Sequence, residues 1–254
     1  MIKGKPGFLA GFLTLLAFVL LWQLVSLLFL AAFLPGPQEL VLRLITVYSD
    51  PTSYTVVWDT LRRIILGLGF SMVIGGIAGL IMGLHRHVEA FLDGWIMVLL
   101  TFPAICWAFL GVLWFGLSDI GPVFTTVLIV FPFVALNVWE GTKAIDKEVI
   151  DMAKVYKANR HLIVRKVIVP QLMPYLFSSM RIALSLSWKI VLVGEAFAVG
   201  SGVGQMLVFH FQDTRVDMML AWGVSFMVFM VLVDVLIFRS WERRAFRWRH
   251  QVAT

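Results

Sequence analysis

The chain has 254 residues, of which 60% are hydrophobic and 14% are charged, and its net charge is +6. A soluble domain carries about 25% charged residues, so this composition excludes an ordinary soluble protein and favours a membrane protein. The positive residues flank apolar segments and form no basic soluble face, which argues against nucleic-acid binding. The single cysteine, Cys106, excludes an internal disulfide, and the sequence contains no Cys/His cluster that would predict a metal site.

Six apolar segments are predicted to cross the membrane as helices, because backbone polar groups in lipid must be paired within their own segment. They cover residues 8–34, 60–84, 89–116, 121–139, 172–196 and 217–238. The first is about twice as long as the apolar region of a signal peptide, which favours a retained anchor. A short surface helix is predicted between the first two spans, and a bend is predicted at Pro103. Residues 1–254 are thus predicted to form one all-α polytopic membrane domain.

The second span carries a small residue at every fourth position. These residues are Gly67, Ser71, Gly75, Gly79 and Gly83, and they form a stripe along one helix face. Small residues let helices approach closely in lipid, where packing replaces the hydrophobic driving force. We interpret the stripe as a helix-packing surface, and a surface along which the helix slides is the alternative.

Lysine and arginine are unevenly distributed between the two sides of these spans. If the N-terminus is cytoplasmic, the inner segments hold most of them, and the outer segments hold only Arg43, Arg62, Arg63 and Arg215. Cytoplasmic loops carry an excess of both residues, so both termini and the 140–170 loop are predicted to be cytoplasmic. Arg62 and Arg63 run against this rule and are interpreted as the outer interfacial start of the second span. The basic, aromatic tail at 239–250 is predicted to bind anionic membrane lipid, and contact with the ATPase is the alternative.

The segment between the fourth and fifth spans is unusually rich in charge. Residues 146–159 are predicted to form a helix, because acidic residues lie at its start and lysines follow. Its apolar residues fall at helical spacing and form one stripe: Val149, Met152, Ala153 and Tyr156. A second short helix is predicted at 160–167, after which Pro170 and Pro174 turn the chain back into the membrane. Periodicity alone leaves both a docking knob and an ordinary solvated loop open.

The same segment contains a spaced motif: Asp151-Met152-Ala153, three residues, Lys157, nine residues, Val167, one residue, Val169-Pro170. It resembles the EAA loop of permease subunits in ABC importers, whose short coupling helix docks in a cleft of the ATPase subunit. The resemblance assigns ATPase coupling to Glu148, Asp151, Met152, Ala153, Tyr156, Lys157, Ala158, Val167 and Pro170. The family has glycine where this chain has Lys157, and lysine tolerates positive φ badly. We therefore expect the first helix to run past residue 157, or the turn to be made differently.

Four further blocks, at 60–86, 102–116, 180–198 and 200–207, resemble the nitrate/sulfonate/taurine branch of these permeases. The resemblance implies a type I ABC importer permease fold with a cytoplasmic coupling helix, located in the bacterial inner membrane. It also implies two ATPase subunits that bind ATP and Mg, a second permease copy forming a homodimer, and an extracytoplasmic solute-binding protein. The solute that it implies is a small organic or inorganic anion, with a vitamin precursor as the alternative.

Charged residues inside a span cost on the order of 2.5–3.5 kcal/mol each on insertion, so they indicate function. The candidate solute-pathway residues of the fifth span are Ser185, Trp188, Lys189 and Glu195. Lys189 suits an anionic solute, and pairing with a carboxylate is the alternative, with Asp234 or the Glu195 of a second copy as partners. Glu195 is predicted either to line a gate or to contact the binding protein, and Arg181 is predicted to extend to the interface.

The sequence lacks the Gly-x-x-x-x-Gly-Lys-Ser/Thr loop that binds nucleotide phosphates, so this chain is expected to use no cofactor of its own. An integral-membrane enzyme would need converging nucleophile, base or metal ligands at membrane depth. An ion-driven carrier would need more spans and an internal inverted repeat. The sequence shows neither pattern, and we expect a transport subunit that is not an enzyme.

Overall fold

The computed structural model describes residues 8–28 and 34–238, so the basic C-terminal tail lies outside the described residues. Within these ranges the chain is helical and contains no strand. The helices are α1 (Phe8–Leu28), α2 (Pro37–Ser49), α3 (Thr52–Leu84), α4 (Arg86–Thr101), α5 (Ala104–Phe115), α6 (Ile120–Lys143), α7 (Lys147–Val155), α8 (Arg160–Ile163), α9 (Val169–Ala198), α10 (Val203–Gln212) and α11 (Val216–Val233). A turn of π-helix follows α8 at Val164–Ile168, and another follows α11 at Asp234–Phe238.

Five helical segments of the described chain are long and apolar enough to cross a membrane, and the α4–α5 pair makes a sixth if it counts as one bent span. The predicted all-α fold is confirmed. Helices α4 and α5 meet at an angle of 94°. Phe102 and Pro103 separate the two helices, and proline ends a helical ladder because it lacks an N–H group. The bend predicted at Pro103 is therefore present.

The predicted surface helix after the first span is α2, and it packs against α11. The guanidinium Nε of Arg43 lies 2.7 Å from a carboxylate oxygen of Asp217 at the start of α11. On the other side, the hydroxyl of Ser26 in α1 donates a 2.7 Å hydrogen bond to the carbonyl of Leu34. These two contacts fix both ends of the connection between the first span and the rest of the bundle.

Helix α3 begins at Thr52, eight residues before the predicted start of the second span at 60. Arg62 and Arg63 therefore lie inside the helix, ten and eleven residues after its first residue, and their interpretation as the outer interfacial start of the span stays a prediction. The carboxylate of Asp50 accepts a 2.9 Å hydrogen bond from the N–H of Thr52, which begins the helix in a polar stretch. With 33 residues, α3 is about 50 Å long and exceeds the roughly 30 Å hydrocarbon core. The second span was predicted from its run of apolar residues, so the polar first turns of the helix were not included.

The prediction that Pro170 and Pro174 turn the chain back into the membrane is wrong. The chain is helical without a break from Arg160 to Ala198. Pro170 lies in the first turn of α9, next to the π-helical turn that widens the backbone, so its missing N–H leaves little unsatisfied. Pro174 lies inside α9.

Helices α3, α6 and α9 form the packed centre of the described bundle. The small-residue stripe of α3 lies buried against α6. A Cβ added to Gly75 would lie 2.5 Å from the carbonyl oxygen of Phe131 and 2.7 Å from the Cβ of Val134. A Cβ added to Gly67 would lie 2.7 Å from a methyl carbon of Thr126. The backbones of α3 and α6 therefore approach too closely for larger side chains along this stripe.

Candidate transport and coupling sites

Helix α7 lies at the end of the bundle where α6 ends and the long helix leading into α9 begins. The carboxylate of Asp146 accepts hydrogen bonds from the N–H groups of Glu148 (2.8 Å) and Val149 (3.4 Å), which caps the helix. The N–H of Asp146 itself donates a 2.8 Å hydrogen bond to the side-chain oxygen of Gln171 in α9. The start of α7 is thereby fixed to a membrane-spanning helix.

The end of α7 corrects both expectations about Lys157. The helix ends at Val155 instead of running to 159, and Lys157 adopts a φ of 56°. The N–H of Ala158 donates to the carbonyl of Ala153 (3.0 Å), and the N–H of Lys157 donates to the carbonyl of Lys154 (2.8 Å). This pair of bonds is the Schellman arrangement that usually has glycine at the left-handed position. Lysine therefore makes the sharp turn at the position where the family has glycine.

The surface of α7 is exposed and partly apolar. Val155 is 79% exposed and Tyr156 is 80% exposed, and Met152 is exposed beside them. Asp151 and Lys154 form an ion pair of 2.8 Å on the same helix. Val155 falls outside the predicted apolar stripe and was not predicted as a coupling residue, although an apolar side chain in a charged helix indicates a contact surface.

The other predicted coupling residues lie in the same region of the chain. Glu148 and Lys157 are exposed, and Ala153, Ala158, Val167 and Pro170 are half-buried. Val167 lies in the π-helical turn and Pro170 in the first turn of α9. Both therefore belong to the long helix after α7 and not to the exposed tip of α7.

Two candidate pathway residues share an exposed face of α9. Ser185 and Lys189 are four residues apart and both are exposed in the single chain. The ammonium of Lys189 lies 5.6 Å from the ring centroid of the half-buried Trp188. Among the described residues, no carboxylate lies within 4 Å of this ammonium, and Asp234 instead contacts Arg181 at 3.2 Å. The alternative in which Asp234 neutralises Lys189 is therefore not realised within this chain.

Glu195, the fourth candidate, lies apart from this face and is fully buried. Its carboxylate accepts hydrogen bonds from the guanidinium of Arg63 (2.6 Å), the N–H of Gly204 (2.9 Å) and the hydroxyl of Thr60 (3.0 Å). Arg63 also contacts Asp119, which in turn pairs with Arg62. We call these four charged residues, Arg62, Arg63, Asp119 and Glu195, the ion cluster.

The ion cluster was not predicted from the sequence. Arg63 was interpreted as part of the outer interfacial start of the second span, and Asp119 had no predicted role. Each is a charged residue next to apolar segments, and that was the signal in the sequence for both. Arg63 and Glu195 are 132 positions apart, so their pairing depends on the packing of α3 against α9. Helical periodicity within one segment cannot supply that information.

Residues 58–246 match the model of a family described as "Binding-protein-dependent transport system inner membrane component". The chain belongs to this family. It is a permease subunit of the ABC importer type, as the motif at 151–170 predicted, and it crosses the inner membrane several times.

Curated relatives cover almost the whole permease. It is 29% identical to the taurine transport system permease protein TauC of Escherichia coli, over 97% of this chain and 90% of that protein. It is 26% identical to the putative aliphatic sulfonates transport permease protein SsuC of Bacillus subtilis, over 98% and 92% of the two chains. It is also 26% identical to the bicarbonate transport system permease protein CmpB of Synechococcus elongatus, over 94% and 89%. The predicted nitrate/sulfonate/taurine branch is thereby confirmed.

Solved structures show the same fold at lower sequence identity. A chain of the MetNI methionine ABC transporter in an inward-facing conformation is similar with a TM-score of 0.61 and 20% identity, covering 74% of the permease and 94% of that chain. A chain of an amino acid ABC transporter crystallised with histidines has a TM-score of 0.59 and 18% identity, covering 79% and 97%. The type I importer permease fold is confirmed.

Proposed function

We propose that the permease conducts a small anion, that a separate ATPase drives it through α7, and that Lys189 attracts the anion inside the membrane. The relatives named for taurine, aliphatic sulfonates and bicarbonate handle solutes that share an anionic group. The observation that carries the proposal is the exposed ammonium of Lys189, which has no carboxylate partner within the described part of this chain.

A lone ammonium at this position is costly unless it serves a ligand. Lys189 is the twenty-first of the 30 residues of α9, nine residues or about 13 Å before the end of the helix, and a charge without a partner inside a span is disfavoured in lipid. The hydroxyl of Ser185 lies one turn away on the same face and offers a hydrogen bond. A second copy of the permease facing this surface would enclose both groups in a shared path. This arrangement supports a homodimer in which each copy contributes one ammonium.

The energy for transport is proposed to come from two ATPase subunits that bind ATP and Mg. The apolar tip of α7, formed by Met152, Val155 and Tyr156, is a surface that a partner protein would cover. Closure of the ATPases would move the two α7 helices together and open the path on the opposite side. An extracytoplasmic binding protein would deliver the solute there, with both termini of the permease in the cytoplasm.

Replacing Lys189 tests this proposal. In vesicles that contain the permease, its ATPase and its binding protein, Lys189→Ala is expected to lower uptake of labelled taurine, alkanesulfonate or bicarbonate by about tenfold, equivalent to 1.4 kcal/mol. Lys189→Arg keeps the charge and should retain most of the uptake. Lys166→Ala, at an exposed position before α9, is the control. The ATPase should co-purify equally with all variants, and unchanged uptake by Lys189→Ala would disprove the pathway role.

A further inference from the structure

The ion cluster lies at the end of the bundle opposite α7, and Arg63 is its centre. The Nε and Nη2 atoms of Arg63 donate to one oxygen of Asp119 at 3.0 and 2.5 Å. Its Nη1 donates to Glu195 at 2.6 Å and to the carbonyl of Ser201 at 2.9 Å, and its Nη2 also donates to the hydroxyl of Ser201 at 2.7 Å. One guanidinium therefore joins α3, the residue before α6, the last turn of α9 and the connection between α9 and α10.

Glu195 fixes the start of α10 from the other side. Its carboxylate accepts from the N–H of Gly204, and the hydroxyl of Thr60 accepts a 2.8 Å hydrogen bond from the N–H of Val203. Gly202 has a φ of 104°, and a Cβ there would lie 2.5 Å from a carboxylate oxygen of Glu195. A Cβ on Gly204 would lie 2.8 Å from the Cβ of Glu195. The two glycines let the backbone of this connection lie directly on the carboxylate.

Burial divides the ion cluster into a closed half and an accessible half. The side chains of Glu195 and Arg63 are 0% and 1% exposed, whereas those of Asp119 and Arg62 are 46% and 47% exposed. The formal charges of the four residues cancel. Separating the buried pair would leave two charges without solvent, which is strongly unfavourable. The exposed pair of Arg62 and Asp119 can separate at little cost, because water replaces each partner.

We propose that Arg63 is a positioning residue of the permease. Through Glu195, Asp119 and Ser201 it holds the ends of α3, α6 and α9 and the start of α10 together as one body throughout the transport cycle. The inference rests on the permease function and does not depend on which solute is carried. The inference also distinguishes the two interpretations of the small-residue stripe. Because the ion cluster fixes α3 to the residue before α6, α3 packs against α6 and does not slide along it.

Hydrogen exchange of the connection between α9 and α10 tests the positioning role of Arg63. In Arg63→Lys, one ammonium cannot replace the fork that reaches Asp119, Glu195 and Ser201. The start of α10 should then open locally about ten times more often. The amides of Val203 and Gly204 should therefore exchange at least about tenfold faster. The matched control is Arg62→Lys, which changes the neighbouring exposed arginine and should leave these two amides protected. Equal exchange of these amides in both variants and in the unchanged permease would overturn the proposal.

A reversible cross-link tests whether this body stays closed during transport. A Cβ on Gly121 at the start of α6 would lie 3.2 Å from the Cβ of Ala198 at the end of α9, so a small separation of the two helix ends reaches the roughly 3.5–4.5 Å found in disulfides. The double variant Gly121→Cys/Ala198→Cys, with Cys106→Ser, should transport equally well oxidised and reduced, within about twofold. The measurement uses whichever of the three solutes the vesicles take up. Uptake that is lost on oxidation and restored by reductant would show that α6 and α9 separate during transport. That result would refute the proposal that the ion cluster holds them together. The hydrogen-exchange experiment needs no solute. It therefore still tests the role of Arg63 if the proposed anion transport is disproved.

Discussion

Lys157 shows how one residue can keep a motif's geometry while departing from its sequence. A non-glycine residue in the left-handed region costs about 1–2 kcal/mol. The two Schellman hydrogen bonds at the end of α7 hold Lys157 there in spite of that cost. Thr214 adopts the same φ of 56° at the end of α10, where the N–H of Arg215 donates to the carbonyl of His210 at 2.9 Å. Backbone hydrogen bonding, and not residue type alone, decides where the chain turns.

Lys157→Gly is therefore expected to stabilise the end of α7. Relief of the left-handed strain, about 1–2 kcal/mol, exceeds the extra chain entropy of a glycine in the unfolded state, about 0.4–1 kcal/mol. The amides at positions 157 and 158 of this variant should exchange more slowly with solvent by a few-fold. The matched control is Lys154→Gly inside the helix, which should accelerate exchange because glycine costs about 1 kcal/mol there. Faster exchange in both variants would contradict the strain argument.

At the scale of an element, α3 is defined by what its small residues allow. Gly75 and Gly76 are neighbours with opposite surroundings. A Cβ on Gly75 would collide with α6, whereas a Cβ on Gly76 meets nothing within 4 Å. Glycine lowers the stability of an isolated helix, so Gly75 serves the close approach of α6 and not helix propensity.

These two glycines give a paired prediction. Gly75→Ala should destabilise the purified permease by about 1–3 kcal/mol, because the backbone carbonyl of Phe131 cannot move aside as a flexible side chain could. Gly76→Ala should stabilise it by up to about 1 kcal/mol through helix propensity. Thermal unfolding in detergent measures both effects. Equal melting temperatures of the two variants would contradict the packing that the structure shows along the stripe.

Helices were predicted well where one local sequence pattern determines them, and poorly where contacts or a neighbouring turn change the outcome. The apolar runs and Pro103 predicted the spans and the bend between α4 and α5. The same reasoning failed at Pro170, since a π-helical turn before it lets the helix continue. Helix α10 was not predicted, because its position depends on Glu195 and Thr60, which bind the amides of Gly204 and Val203 from other helices.

For the whole molecule, the motif at 151–170, the four further resembling blocks and the apolar segments predicted the family and the all-α membrane fold, and the six predicted spans agree with the described helices when the bent α4–α5 pair counts as one span. The ion cluster required the three-dimensional structure, because four charges from three parts of the chain meet only after α3, α6 and α9 pack. Its position opposite α7 divides the permease into a polar end that is tied together internally and an end with an exposed apolar tip. This asymmetry follows from charge placement: the buried charges of the ion cluster are paired within the chain, whereas α7 leaves its apolar residues for a partner.

The two ends are expected to lie on opposite sides of the membrane. Leu117, beside Asp119, is 77% exposed and Val155 is 79% exposed, so cysteines at these positions are matched in accessibility. In a Cys106→Ser permease, Leu117→Cys should react with a membrane-impermeant maleimide in intact cells with a permeable outer envelope. Val155→Cys should react only after the inner membrane is opened, because the excess of lysine and arginine predicts that α7 lies in the cytoplasm.

The same pair of cysteines reports on the partner of α7. Labelling of Val155→Cys in opened membranes should fall several-fold when the ATPase is co-expressed, because docking would cover the apolar tip, while labelling of Leu117→Cys should not change. Reaction of Val155→Cys in intact cells would place α7 outside and contradict the orientation. Undiminished labelling with the ATPase present would show that the exposed residues of α7 are not its docking surface, since a side chain buried by docking cannot react at the rate of a free one.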